Sequence, residues 1–435
     1  MNFLKKETMK FLNIILFMCL AWSLAAQPAP APPQKGKIAI LGATAHLGNG
    51  KVIKNSLITF ENGKLLTVED ASKIRLDQKS FAQVIDANGK HAYPGFIAPN
   101  TSIGLVEIEA VRATRDAREI GNLNPHIRAI IAYNTDSKVI PTLRSNGMLM
   151  AQIVPSGGRV DGQSTIVQMD AWNWEDAAYK MDEGIYVSYP SMVSWSWRTR
   201  SITKNKNYAK QLQEVEEYFT EAHAYSKNKK LSSKNLKFEA MRGVFDGSKN
   251  LYVKTNAAKS IMEAVLLFKK FNITPVIVGG SESWMVVDFL KKNNVPVMLS
   301  KVHDLPDHDD SDIDQPFKTP RMLQEAGVLW CFQMNEVAQS RNLPFQAGHA
   351  VGFGLDKEDA IAGLTLNTAK ILGIDKTTGS LEVGKDATLI ISSGDVLDMR
   401  TNHVETAFIQ GREISLSTKQ KDLYEKFKTK YKNQK

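Results

Sequence analysis

The chain has 435 residues, 43% of them hydrophobic and 23% charged. That length suggests two or three structural units, and the apolar content is enough for sizeable cores, which excludes disordered and fibrous classes. The net charge of +9 sits mostly at the ends. Lys5, Lys6 and Lys10 lie near the start, and seven lysines from Lys419 to Lys435 face only Asp422 and Glu425. The body is close to neutral, which gives no argument for a nucleic-acid partner.

In chain order, the three leading lysines precede an apolar run at residues 11–20 that ends in Ala25 and Ala26. A basic start, a short apolar stretch and small closing residues predict a secretory signal peptide over residues 1–26. The expected location is therefore the periplasm, across the inner membrane. Pro28, Pro30, Pro32 and Pro33 predict a stiff linker over residues 27–36. No later stretch is apolar for long enough to span a membrane. Cys19 falls in the leader, so the mature chain keeps Cys331 and no internal disulfide is expected.

Short alternating runs follow at residues 37–41, 57–60, 64–68 and 84–85. They are punctuated by the hairpin-type signals Asn49-Gly50 and Asn62-Gly63. A second β-rich stretch lies at residues 387–392 and 404–410. Neither makes a stable sheet alone, so the two are expected to form one composite β-sandwich from residues 37–92 and 377–416.

Between them, residues 93–376 alternate apolar strands with amphipathic helices. The strands are expected at 92–97, 148–154, 164–169, 251–254, 274–278, 295–299 and 328–332. The helices are expected at 257–271, 283–293, 319–326 and 357–372. That alternation predicts an α/β fold, a (β/α)8 TIM-type barrel. Leu212, Val215, Tyr218, Phe219 and Ala222 at helical spacing predict a helical insertion at about 203–248, over the barrel mouth or its side. Residues 417–435 form a basic tail.

Several runs carry a family resemblance. Tyr93-Pro94-Gly95-Phe96-Ile97 resembles the start of the first barrel strand in amidohydrolases of the imidazolonepropionase-like group. AIAGLTLNTAKILG at 360–373, GSLEVGKDATL at 379–389 and FIQGR at 408–412 resemble that superfamily's last barrel helix and returning strands. Residues 344–351 fit the loop before that helix. The resemblance covers roughly residues 37–416 and implies the same barrel and composite sandwich.

It also implies one or two divalent metals at the barrel mouth. Such a metal lowers the pKa of a bound water and polarises a scissile carbonyl. Its imidazole and carboxylate ligands are expected at matching positions. Here Asn100 and Ser102 stand where the resemblance implies a His-x-His pair. Lys254 and Asn256 end the middle strand, Gly279 stands at an expected His, and Asn335 stands at the expected aspartate. Neutral amides and hydroxyls supply neither charge balance nor strong donors to Zn²⁺.

These six positions are therefore expected as a polar pocket, or one filled by side chains and water, with no catalytic residue and no cofactor. The chain reads as a degenerate, non-hydrolytic member, a pseudoenzyme. It would bind a small-molecule ligand, form a homodimer or pair with an active paralogue. The alternative is a hydrolase of C–N bonds, amide or peptide-like, with Zn²⁺ or another divalent metal on non-standard ligands.

Other features have plain readings beside sharper ones. His303, Asp307, His308 and Asp310 crowd an acidic loop that could hold a metal, although its spacing is not that of an EF-hand and a solvated loop explains it. Lys254 is expected to pair with Glu109 or Asp116. Ser156-Gly157-Gly158-Arg159 reads as a tight loop, and Trp172, Trp174, Trp195 and Trp197 as packing of the insertion. His46, His91 and His349 read as singly scattered structural residues. Leu423, Phe427 and Tyr431 share one face of a helical tail that could meet an anionic surface, without a Trp- or Leu-rich stripe for insertion.

Overall fold

The computed structural model describes residues 29–432 apart from 76, 197, 229, 231, 232 and 338. The expected signal peptide and Trp197 lie outside the described residues. The first strands are β1 (Ile38–His46), β2 (Val52–Glu61), β3 (Lys64–Asp70), β4 (Gln83–Asp86) and β5 (His91–Pro94). Asn62 (φ 50°) and Gly63 (φ 77°) turn β2 into β3, and two left-handed residues are what a tight hairpin of this twist requires.

Next come β6 (Phe96–Thr101), β7 (Met148–Ile153), β8 (Val160–Gln168) and β9 (Ala178–Ser188), then the hairpin β10 (Val193–Ser196) and β11 (Ser201–Lys204). The chain continues with β12 (Asn250–Thr255), β13 (Val276–Gly279), β14 (Val297–Leu299) and β15 (Trp330–Phe332). It closes with β16 (Leu389–Ser392), β17 (Val404–Ile409) and β18 (Arg412–Glu413).

The two ends of the chain share one sheet, in the order β18-β17-β16-β5-β1-β2-β3, with β4 also on β1. Hydrogen bonding links all eight strands of this composite unit. The sheet curls until Leu65 N meets Lys385 O (2.9 Å) and Ala387 N meets Gly63 O (2.8 Å). Ile40, Phe60, Leu389 and Phe408 fill its inside, with the two phenyl rings edge to face at 5.0 Å.

The second eight-stranded sheet, β6-β7-β8-β9-β12-β13-β14-β15, is a nearly closed barrel. Several sequence expectations change here. The single strand expected at 92–97 is two strands in different sheets, hinged at Gly95, where a Cβ would lie 2.7 Å from Leu149 Cδ1. β8 is antiparallel to both β7 and β9, so a hairpin replaces one helical crossover. β9 itself was not expected, because its first half is polar and half-exposed.

The expected helix 357–372 breaks at Thr365 into Lys357–Leu364 and Leu366–Leu372. The expected loop 344–351 is a helix, Leu343–Gly352, with Pro344 in its first turn, where no N–H is missed. The insertion forms helices Tyr208–Lys227 and Leu236–Phe245. Phe219 packs on Phe268 at 4.8 Å, which fixes the insertion to the barrel flank rather than the mouth. Trp172 and Trp195 are exposed. No helix among the described residues is long and apolar enough to cross a membrane.

Candidate functional site

The inside of the barrel is apolar at its base and polar toward its C-terminal mouth. Ile97, Met150, Ile166, Val276, Met298 and Cys331 surround the stacked rings of Tyr186 and Tyr252, 4.6 Å apart. Among them lies Glu183, 1% exposed. Its Oε1 accepts from Gln152 Nε2 (2.6 Å) and Ser164 Oγ (2.6 Å), and its Oε2 from the Tyr252 hydroxyl (2.8 Å). Burial pushes the Glu183 carboxyl up, and the three donors oppose that without cancelling it.

The network continues upward. Gln152 Oε1 accepts from the Tyr186 hydroxyl (2.8 Å) and from the backbone N–H of Asn100 (3.1 Å). Asn100 Nδ2 donates to Gln333 Oε1 (2.9 Å), which ties β6 to the segment after β15 across the barrel's closing edge. Asn100 adopts φ 50°, a left-handed conformation that asparagine tolerates. Side chains of this network fill the space below the mouth.

Above this layer, Lys254 Nζ donates to Asp161 Oδ2 (2.8 Å) and lies 5.1 Å from the centre of the Tyr186 ring. The expected partners Glu109 and Asp116 are replaced by Asp161, which the antiparallel strand β8 delivers from a distant place in the chain. Asp161 also accepts the Gly158 N–H (2.8 Å), which gives the tight loop 156–159 a holding role.

The mouth opens into two adjoining clefts. Asn100, Lys254 and Asn335 border both. The first, about 930 Å³, adds Ser102 together with Arg112, Arg115 and Arg118 against Glu109 and Glu119. The second, about 960 Å³, adds Asn256, Gly279, Glu282, Asp304, Asp307 and Glu336 against Lys259 and Lys301, under an apolar wall of Met192, Val193 and Ile202. The structure thus brings the six expected positions to one mouth. It gives this mouth a basic side and an acidic side, and the acidic side is also the more apolar one.

The acidic loop does not gather its metal candidates. His303 Nε2 meets His349 Nδ1 (2.7 Å), His308 Nε2 meets Glu282 Oε1 (2.7 Å), Asp307 accepts from Ser281 Oγ, and Asp310 is exposed. The Glu282 contact raises the His308 pKa, while burial lowers that of His303. His349 is therefore not a lone histidine. Neither are His46 and His91, which touch at 3.1 Å, with His46 Nδ1 on Glu358 Oε1 (2.7 Å) at the seam between sheet and barrel.

The donor set at the mouth does not fit a divalent metal. The six expected positions offer amides, one hydroxyl and a lysine, and the buried carboxylate beside them, Asp161, is committed to that lysine; on the wall of the second cleft Glu336 pairs with Lys301 and Glu282 with His308. Among the described residues no group of three His, Cys, Asp or Glu side chains is arranged to hold one.

Sequence reasoning missed Gln152, Asp161, Glu183 and Gln333. Each is a polar residue in or beside an apolar strand, and that pattern was the available signal.

Comparison with known proteins places this geometry. Residues 296–414 match the amidohydrolase family. That segment, less than a third of the chain, is similar to the amidohydrolase family. The matched segment runs from β14 through β18, covering the last barrel strands, the helices after them and the strands that return to the first sheet.

The chain is 63% identical over 35 residues to the imidazolonepropionase of Shewanella sp. (strain ANA-3), a stretch that spans 8% of this chain and 9% of that protein. In three dimensions it resembles an amidohydrolase from Thermotoga maritima MSB8 (TM-score 0.73, 24% identity, 87% of this chain and 99% of that one). It also resembles a Xaa-Pro dipeptidase with bound methionine (TM-score 0.55, 14% identity, 87% and 100%). At these identities the structural likeness concerns the fold. The barrel and its composite sheet are thus an architecture shared with these solved structures.

Proposed function

We propose that this chain is an exported, periplasmic amidohydrolase relative that binds a small-molecule ligand at its barrel mouth without metal-dependent hydrolysis. It would act alone, as a homodimer or as the partner of an active paralogue. The observation that supports this reading is the residue types where the resemblance implies ligands: Asn100 and Ser102 for the His pair, Gly279 for a His and Asn335 for the aspartate, with Lys254 and Asn256 ending the middle strand. The Lys254–Asp161 pair and the Gln152 layer occupy the depth where ligands would converge. Two adjoining clefts, basic on one side and acidic on the other, remain open to a ligand carrying both polarities.

Elemental analysis of the mature chain after dialysis against trace Zn²⁺, Mn²⁺ and Ca²⁺ tests the proposal. A transition-metal content far below one per chain is expected. One tightly held transition metal per chain overturns the reading.

The family match keeps a second reading in view, a hydrolase of C–N bonds using a divalent metal on unusual ligands. Glu282, Asp307 and His308 on the wall of the second cleft favour it. If His308→Ala and Glu282→Gln together abolish a metal-dependent release of amine from an amide library, the second reading replaces the first.

A further inference from the structure

The helix Lys419–Lys432 buries none of its residues against the rest of the chain. Leu423, Tyr424, Phe427 and Tyr431 are all exposed, and together they line one shallow groove on its surface. At helical periodicity these four lie on one face. Lys421, Lys428 and Lys432 border that face on one edge, and Lys419, Lys426 and Lys430 on the other. Asp422 and Glu425 lie opposite it. Lys428 sits 5.1 Å from the Tyr424 ring and Lys430 5.5 Å from the Tyr431 ring, so the lysine heads hug the rim of the apolar stripe.

A helix of this length is marginal in water without tertiary packing, and this one buries no residue against the described residues. We propose that its apolar face lies on an anionic lipid surface, with the lysines at headgroup level. The stripe would enter the boundary between headgroups and acyl chains, the lysine stems would lie along it, and the ammonium groups would reach outward to the phosphates.

The charge pattern selects this occupant over others. Six lysines against two acids make pairing with a second copy of the same helix repulsive. A nucleic acid would use the lysines and leave the aromatic stripe uncovered. The acids are confined to the face turned away from the lipid, as an anionic surface demands. This inference is independent of what happens at the barrel mouth.

Co-sedimentation of the full mature chain with vesicles tests it, using phosphatidylcholine alone or with a quarter phosphatidylglycerol. Binding to the anionic vesicles is expected, at least about tenfold weaker on neutral ones and at about 0.5 M salt, where the screening length shrinks to a few ångströms. Leu423→Ser with Phe427→Ser keeps the charge and is expected to weaken binding about tenfold. A chain ending at Ser417 is expected to lose binding while keeping its melting temperature, since the helix buries nothing.

Three results overturn the proposal. The full chain fails to bind anionic vesicles, the double serine variant binds like the parent, or the truncated chain binds as well as the full one. A dimer that depends on the helix, seen by size exclusion with no vesicle binding, would assign the stripe to a second copy instead.

Discussion

Lys254 Nζ donates to Asp161 Oδ2 at 2.8 Å, and the Asp161 carboxyl is almost wholly buried while the lysine reaches the barrel mouth. The pair joins β12 to the antiparallel strand β8 at the point where both clefts meet. Lys254→Met leaves the Asp161 carboxylate with the Gly158 N–H (2.8 Å) and a long bond from the Ser188 hydroxyl (3.4 Å). Removing one partner of a buried pair costs more than removing both. The single change is expected to lower stability by about 1–3 kcal/mol, discounted for the lysine's partial exposure. Adding Asp161→Asn to it is expected to recover most of the loss. Urea midpoints of the two variants at neutral pH decide the matter.

Glu183 gives a pH dependence with a definite sign. Its folded pKa is raised above the ordinary 4.5 by burial. The folded state therefore holds its proton to higher pH than the unfolded chain. The associated stability is fully present below the unfolded value and is lost as pH rises through the folded one. Glu183→Gln is expected to flatten the fall of stability with pH above the ordinary glutamate range. A parallel pH profile in the variant would assign the fall to other groups.

At Gly279 the backbone itself disfavours the histidine that the resemblance implies. Its φ is 105°, and a Cβ there would lie 2.3 Å from Asn256 Oδ1 and 3.0 Å from the Thr255 carbonyl oxygen. Gly279→His is expected to destabilise by at least about 1–3 kcal/mol from backbone strain alone. It is not expected to create a metal ligand without a wider rearrangement. Melting temperature with and without Zn²⁺ reads both effects together.

Cys331 lies within the barrel, fully buried, and its thiol is pushed up to about 12. The thiolate is the reactive form, so native protein at pH 8 is expected to resist a disulfide reagent. One thiol per mature chain is expected to react once denaturant is added. Fast labelling of the native protein would mean that the barrel opens readily.

Much of the architecture was legible because it is written locally. Asn62-Gly63 marks a hairpin wherever it stands between apolar runs, and the structure uses it as one. Phe219 and its helical neighbours announced the insertion helix by spacing alone. Where a segment is polar on one half, as β9 is, periodicity says little, and its place in the barrel comes from hydrogen bonding to β8 and β12. The break at Thr365 was hidden for a related reason: Leu364 and Leu366 beside it are good helix formers, while the Thr365 hydroxyl donates back to the Ile361 carbonyl (2.7 Å) at the kink.

The candidate site divides in the same way. The sequence by itself determined which residue types stand at Asn100, Ser102, Lys254, Asn256, Gly279 and Asn335, since residue type is a one-dimensional fact, and the resemblance supplied the expectation that metal ligands belong there. Only the tertiary structure decided what those residues do instead. Asp161 finds Lys254, Gln333 finds Asn100, and Glu183 finds Gln152 and Tyr252 across stretches of chain with no local signal. A buried polar group must be satisfied by whatever the fold brings beside it, and barrel closure sets those neighbours from residues far apart in sequence.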